Sequence, residues 1–120
     1  MSHTLEEIET WIGTALPAAY RAFLADREEE LPVGELVLLY GRSDFVERNE
    51  TYETKQYCPG FITVGDDSGG WQLLLSLSEG TVSLVDAGSM DPALAKAVAP
   101  DFSGWLGAGC PLPDEEDENM

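Results

Sequence analysis

Two adjacent carboxylates and three glycines stand between two apolar runs in residues 65–70, Gly-Asp-Asp-Ser-Gly-Gly. Side chains of these types could form a catalytic acid–base pair, coordinate a cation or leave room for a phosphate. Each of these three kinds of site needs a particular spacing, and the residues present can be compared with it.

None of the three spacings is matched. Asp66 and Asp67 are adjacent, and successive side chains of a strand point to opposite faces, so the two do not form a glycosidase pair. A calcium-binding loop ends in a bidentate Glu, and residues 66–77 contain no Glu. A phosphate cradle leads into a helix, whereas a strand pattern follows here.

We therefore interpret the loop as a structural turn, in which Gly65, Gly69 and Gly70 supply backbone conformations that other residues rarely adopt. Two alternatives stay open. Asp66 and Asp67 could instead contact a partner protein, or one of them could serve a hydrolase.

Other catalytic and metal-binding chemistries lack their residues. The chain has one histidine, His3, and two cysteines, Cys58 and Cys110, which are not in a Cys-x-x-Cys spacing. A zinc site or a nucleophile–histidine pair would depend on that single histidine. We expect no catalytic residue, no cofactor and no metal.

Charge is the most informative feature of the composition. The 120 residues include 23 Asp and Glu and six Lys and Arg, a formal net charge of -17. Without the five acids of residues 114–118, the balance is 18 acids against six bases, or -12. This charge argues against direct nucleic-acid binding, which relies on Lys and Arg, and favours a basic protein partner. The alternative is that the acidity serves only solubility.

Length and hydropathy indicate a single domain outside membranes. No apolar run approaches the roughly 20 residues of a membrane-spanning helix. The first ten residues, MSHTLEEIET, are acidic where a signal peptide would be basic. We expect a cytoplasmic protein that does not contact a membrane, and the oligomeric state is left open.

Three helices are predicted in the first half of the chain. Thr4 and Glu7 form a capping box before an apolar face that ends at Gly13. A second helix starts at Pro17, and a third starts at Ser43 and continues to about Tyr52 or Lys55.

The second half alternates strands and turns. Strand patterns cover residues 61–64, 71–77 and 81–86, after a shorter one at 36–40. The short link at residues 78–80 predicts that the last two strands pair antiparallel. Short helices are predicted at residues 91–97 and from Pro100 through Leu106.

Several residues are candidates for contact with a partner. Glu28, Glu29 and Glu30 lie near the C-terminal end of the second helix, where the helix dipole disfavours negative charge. Asp44 lies in the first turn of the third helix. Trp71 follows the glycine turn, and tryptophan is enriched at binding hot spots. With Asp66 and Asp67, these residues form the predicted partner-binding set.

Four motifs in order resemble the SUKH superfamily, which includes the yeast cell-wall-assembly-regulator family. The first is a Leu-Pro-x-x-Tyr-x-x-Phe-Leu helix at residues 16–24, and the second is a Gly-Asp-x-Gly-Gly hairpin at residues 65–70, here one residue longer. The third is a Gly-x-Val-x-x-x-Asp strand at residues 80–86, and the last is an Ala-x-x-Phe-x-x-Trp-Leu helix at residues 99–106. The resemblance spans most of residues 5–107.

The resemblance implies an α+β fold, a single domain with helices packed on a mainly antiparallel sheet of about four to six strands, and no enzymatic activity. It also implies a protein-binding module. Bacterial members resemble immunity proteins that neutralise toxins, often nucleases, so we expect occlusion of a basic, nuclease-like toxin. The alternative is an intracellular regulatory or scaffold protein without a toxin partner.

Two departures from the superfamily pattern bear on the partner. An acidic run, residues 26–30, replaces the usual Asn-Gly after the second helix, and Trp71 occupies a position that is often small or polar. The superfamily-like domain is expected to cover residues 4–109. Residues 110–120 are expected to form an acidic, disordered C-terminal tail.

Overall fold

The computed structural model describes residues 3–112. These residues form five α-helices, one 3₁₀ turn and a six-stranded sheet, so the fold is α+β. The helices are α1 (Leu5–Ile12), α2 (Ala18–Ala25), α3 (Arg42–Thr51), α4 (Thr54–Tyr57) and α5 (Phe102–Gly107), and the 3₁₀ turn is Pro92–Leu94.

All strands lie side by side in chain order, and every neighbouring pair is antiparallel. They are β1 (Leu31–Val33), β2 (Val37–Leu39), β3 (Phe61–Asp66), β4 (Trp71–Ser76), β5 (Val82–Asp86) and β6 (Lys96–Ala99). Connections between strands therefore alternate between the two ends of the sheet. The β1–β2 and β3–β4 turns and the end of β5 share one end.

The first helix forms as its capping residues predict. The Thr4 hydroxyl accepts the N–H of Glu7, and the Glu7 carboxylate accepts the N–H of Thr4. Gly13 ends the helix in the left-handed conformation at φ 95°. Glu9 then links α1 to α2 by accepting the N–H of Leu16 and the Arg21 guanidinium. The Leu16 N–H and then Arg21 lower the pKa of Glu9.

The main core lies between one face of the sheet and the helices. Its aromatic centre is Tyr20, whose ring contacts Phe23, Phe45 and Phe102 at centroid distances of 5.2 to 6.3 Å. Tyr20 is fully buried, and the alternating strand residues Leu73 and Leu75 belong to the same cluster. This packing confirms the apolar face predicted for residues 16–24.

The second face of the sheet is smaller and more polar. Cys58, Leu74, Val85 and Met90 form a small apolar cluster there. Beside it, Asn49 of α3 binds the edge of β3: its side chain accepts the N–H of Thr63 and donates to the carbonyl of Thr63. The Asn49 side chain thus satisfies the backbone N–H and C=O of Thr63 at a point of β3 that β2 does not reach.

Two strands were not predicted. β1 was missed because it is three residues long and contains Pro32, a residue that strand interiors exclude but edge strands tolerate. The helix predicted at residues 91–97 is wrong beyond one 3₁₀ turn. Lys96–Ala99 instead pair with β5 as β6, because hydrogen bonds on the open edge of β5 outweigh the helix propensity of alanine.

The predicted domain and tail meet the end of the described chain. Most of the predicted acidic tail, residues 113–120, lies outside the described residues, and the boundary at 109 stays a prediction. Between His3 and Leu112, no helix has the length and apolar character that a bilayer crossing requires.

Candidate functional site

The β3–β4 turn is built from its own carboxylates. Asp67 Oδ1 accepts the N–H of Gly69 at 2.7 Å and the N–H of Trp71 at 3.1 Å. Asp66 Oδ1 accepts the N–H of Ser68 at 2.9 Å. Both aspartates therefore satisfy backbone donors that a tight turn leaves unpaired, which is a structural use of the two carboxylates.

Asp66 also anchors the turn to β2. Its Oδ2 accepts the hydroxyl of Tyr40 at 2.8 Å. Burial, and then the hydrogen bond to Asp66, raises the pKa of the Tyr40 phenol. This second bond leaves little of the Asp66 carboxylate for chemistry at the surface.

The three glycines of the loop have different roles. Gly70 has φ 101° and supplies the left-handed conformation that the turn needs. Gly65 lies within β3, not in the turn, and a Cβ there would sit 2.3 Å from the carbonyl oxygen of Leu38. Gly69 has neither constraint, whereas Ser68 takes a left-handed φ of 64°.

Hydrogen bonds join this turn to its neighbours at the same end of the sheet. The Ser68 hydroxyl donates to the carbonyl of Leu36 in the β1–β2 turn at 2.8 Å. The N–H of Ala87, just after β5, donates to the carbonyl of Gly70 at 2.9 Å. We call residues 34–36, 67–70 and 86–88 together the loop platform.

Trp71 is the first residue of β4, and its contact with a partner stays a prediction. Its side chain is half-buried and packs against the main core. The Lys96 ammonium lies 5.1 Å from the ring centroid and covers part of the ring.

The acidic triplet is held by its backbone. The N–H groups of Arg42 and Ser43, in the first turn of α3, donate to the carbonyls of Arg27 and Glu28. Gly41 is packed so closely that a Cβ would lie 2.5 Å from the carbonyl of Glu29. The triplet therefore lies against the positive end of the α3 dipole. The dipole of α2 disfavours these charges, and the dipole of α3 favours them.

The predicted partner-binding residues form two groups. Glu28, Glu29 and Glu30 are exposed, and half-exposed Asp44 lies beside them in the first turn of α3. We call these four residues the α3 acidic cluster. Asp66, Asp67 and Trp71 form the second group, at the β3–β4 turn.

The β1–β2 hairpin lies between the two groups. Glu30 immediately precedes Leu31, which pairs with Leu39, and Asp66 pairs with Leu38 on the other side of β2. From the spacing of residues and strands, Glu30 and Asp66 are roughly 10–15 Å apart.

All six basic side chains are engaged with the chain itself. Four of them lie over aromatic rings, 4.4 to 6.0 Å from the ring centroids, and the other two bind carboxylates or helix-end carbonyls. The four pairs are Arg27 over Phe23, Arg48 over Tyr40, Lys55 over Trp11 and Lys96 over Trp71. Arg21 binds Glu6 and Glu9, and Arg42 donates to the carbonyls of Leu24 and Ala25. Two of these cations, Arg27 and Arg42, lie beside the acidic triplet in contacts of their own, and the other four lie in other segments.

Two residues of the hairpin were not singled out from the sequence. Glu35 and Leu36 are exposed at the tip of the β1–β2 turn. The signal that could have found them is the Val-Gly-Glu-Leu-Val pattern at residues 33–37, which places a glycine turn between two short apolar segments.

Comparison with known families identifies a family whose pattern covers most of the chain. The family model described as SMI1 / KNR4 family (SUKH-1) matches residues 2–108. No curated protein matches the chain. Within residues 3–112, no group of three or more His, Cys, Asp or Glu side chains is placed to hold a metal ion.

Proposed function

The chain belongs to the SMI1 / KNR4 family (SUKH-1), and we propose that it is a non-enzymatic protein-binding module of the toxin-immunity type. Its partner would be a basic, nuclease-like toxin, which it would neutralise by covering the surface that binds nucleic acid. The compartment in which this happens would be the cytoplasm.

The observation that carries the proposal is the placement of charge. Strands β1 to β5 contain no Lys or Arg, and neither do residues 28–41 and 56–95. The six bases make contacts within the chain, whereas Glu28, Glu29 and Glu30 are exposed and Asp44 is half-exposed. Such a surface complements the Lys and Arg that a nuclease uses to hold phosphates.

The mechanism would be stoichiometric occlusion. Carboxylates of the α3 acidic cluster and the loop platform would pair with basic side chains of the toxin, and their field would steer the two proteins together. The blocked toxin would lose substrate binding, and its catalytic residues would stay chemically unchanged.

A non-enzymatic role is supported by the β3–β4 turn. Asp66 and Asp67, the residues nominated for a hydrolase, accept four hydrogen bonds from Tyr40 and from the backbone of their own loop. Carboxylates committed in this way serve the turn.

The test begins with capture of partners from cells of the source organism, followed by expression and purification of the basic protein recovered. We expect one-to-one inhibition of nuclease activity, with association that slows markedly as salt rises. An acidic partner, or binding that is indifferent to salt, would contradict the proposal. A basic partner without toxic activity would favour a regulatory or scaffold protein.

A further inference from the structure

Leu36 is an exposed apolar side chain at the tip of the β1–β2 turn. It is 58 % exposed, and only two other large apolar side chains of residues 3–112, Tyr57 and Leu94, are exposed to a similar degree. Single exposed leucines are common on protein surfaces. The surroundings of Leu36 distinguish it.

An open cavity of about 480 Å³ adjoins Leu36. It is lined by residues 33–37 of the β1–β2 hairpin and by Gly109, Cys110 and Leu112. Val33, Val37, Cys110 and Leu112 give it an apolar floor, and exposed Glu35 stands at its side. The cavity has room for one large apolar side chain beside Leu36.

This end of the sheet is acidic. Glu35 lines the cavity, and Asp66 and Asp67 lie in the β3–β4 turn, which Ser68 joins to Leu36. Asp86 lies farther along the same end, at the end of β5, where Lys96 lies over Trp71. An apolar centre within a charged rim is the usual anatomy of a protein–protein interface. The charge of the rim selects a partner surface with basic residues around an apolar one.

The loops around Leu36 are held in place before any partner arrives. Ser68 bonds the carbonyl of Leu36, and Asp66 and Asp67 fix the β3–β4 turn through their own backbone bonds. A surface that is already ordered loses less conformational entropy on binding.

We propose that Leu36 and the adjoining cavity are the apolar anchor site of this protein, and that the occupant is an apolar side chain flanked by Lys or Arg on the partner. This inference rests on the proposed function for the partner's class, and it moves the anchor from Trp71, which Lys96 covers, to the hairpin tip.

The test uses the full-length chain and a defined probe, the blocked peptide KKFKK, with KKSKK and EEFEE as controls. Amide shifts of the isotope-labelled protein are followed by NMR during titration. We expect KKFKK to shift the amides of residues 33–37 and of Gly109, Cys110 and Leu112, and both control peptides to bind more weakly.

Two leucine variants make the test specific. Leu36→Ser should weaken KKFKK binding about fivefold, whereas Leu94→Ser, at a 70 % exposed leucine near β6, should leave it unchanged. Both side chains are exposed, so neither change should unfold the protein.

Equal effects of the two variants, or shifts confined to other surfaces, would overturn the anchor site. A dimer of the free chain that Leu36→Ser abolishes would also overturn it, by assigning the surface to a second copy. Failure of the proposed function is read separately: the peptide could bind as expected although cells contain no basic toxin partner.

Discussion

The two acidic segments of this protein are built in opposite ways. In the β3–β4 turn, the carboxylates of Asp66 and Asp67 accept the hydrogen bonds that shape the loop. At the triplet of residues 28–30, the carbonyls of Arg27 and Glu28 accept N–H groups from the start of α3, and the three acidic side chains are exposed. A close-packed glycine holds each segment: Gly65 against Leu38, and Gly41 against Glu29.

The difference shows that a run of acids in a sequence does not reveal what its charges do. Removing a carboxylate from the turn should cost free energy of unfolding, because backbone donors lose their acceptors. Removing one from the triplet should leave folding intact and change only the electrostatic field that a partner meets.

The largest effect on stability is expected at Gly65, which packs β3 closely against β2. Gly65→Ala should lower the free energy of unfolding by about 3 kcal/mol, because its Cβ would meet the Leu38 carbonyl oxygen at 2.3 Å and the backbone cannot yield cheaply. Urea denaturation measures the change.

Gly69→Ala is the matched control in the same loop. A Cβ at Gly69 would make an ordinary contact, 3.5 Å from Asp67 Oδ1, so a loss below about 1 kcal/mol is expected. Equal stability of the two variants would show that β2 and β3 are not packed through Gly65.

A smaller loss is expected from the turn carboxylate. Asp67→Ala leaves the N–H groups of Gly69 and Trp71 without their acceptor, and should cost about 1–2 kcal/mol. Asp67→Asn keeps a carbonyl oxygen in place and should cost less. If both variants unfold at the wild-type urea concentration, the carboxylate does not build the turn.

A third, smaller effect is expected on the stability of the protein at alkaline pH. It comes from Tyr40, whose hydroxyl anchors the β3–β4 turn through Asp66. Burial and Asp66 raise the folded-state pKa of Tyr40, so its stabilising contribution is complete below the unfolded value of about 10 and is lost as pH rises above it. Each pH unit above 10 should cost at most about 1.4 kcal/mol for this group.

Tyr40→Phe should flatten the loss of stability between pH 9 and 11, although buried Tyr20, whose pKa is also raised, keeps part of it. Tyr57→Phe, at an exposed tyrosine, should leave the slope as in the wild type. Unfolding in urea across this pH range provides the measurement. Parallel slopes for all three proteins would contradict the role given to Tyr40.

Local signals predicted much of this fold. The capping box at Thr4 and the apolar spacing of residues 16–24 are local signals that specify α1 and α2. Glycine turns separate β3, β4 and β5. Where structure depends on distant partners, prediction failed. β6 exists because β5, from an earlier part of the chain, offers it an edge. β1 pairs with its neighbour β2, and it was missed because it is short and contains Pro32.

The candidate site shows the same division. Residue types identified the acidic surface, but only the fold shows that the α3 acidic cluster and the β3–β4 turn flank the β1–β2 hairpin. The sequence also could not show that Lys96 covers Trp71, because the two residues are 25 positions apart and meet through β5. For Leu36 the local pattern at residues 33–37 indicates a turn, but only the fold shows that Cys110 and Leu112 lie beside it.

The smallest effect on stability, and the most specific effect on binding, is expected at the triplet. Glu29→Gln combined with Glu30→Gln should change the free energy of unfolding by less than about 0.5 kcal/mol, because both side chains are exposed at a loop that backbone bonds hold. The same variant should slow association with a basic partner about threefold at low salt and hardly change dissociation, because exposed charges act mainly on encounter. Stopped-flow rates across a salt series test this. The difference between the association rates of variant and wild type should disappear as salt shortens the Debye length below about 8 Å.

Glu53→Gln with Glu79→Gln removes the same charge from exposed positions outside the two acidic segments, and should have a weaker effect. If both double variants slow association equally, net charge alone steers the partner, and the contrast between the two acidic segments would concern folding only.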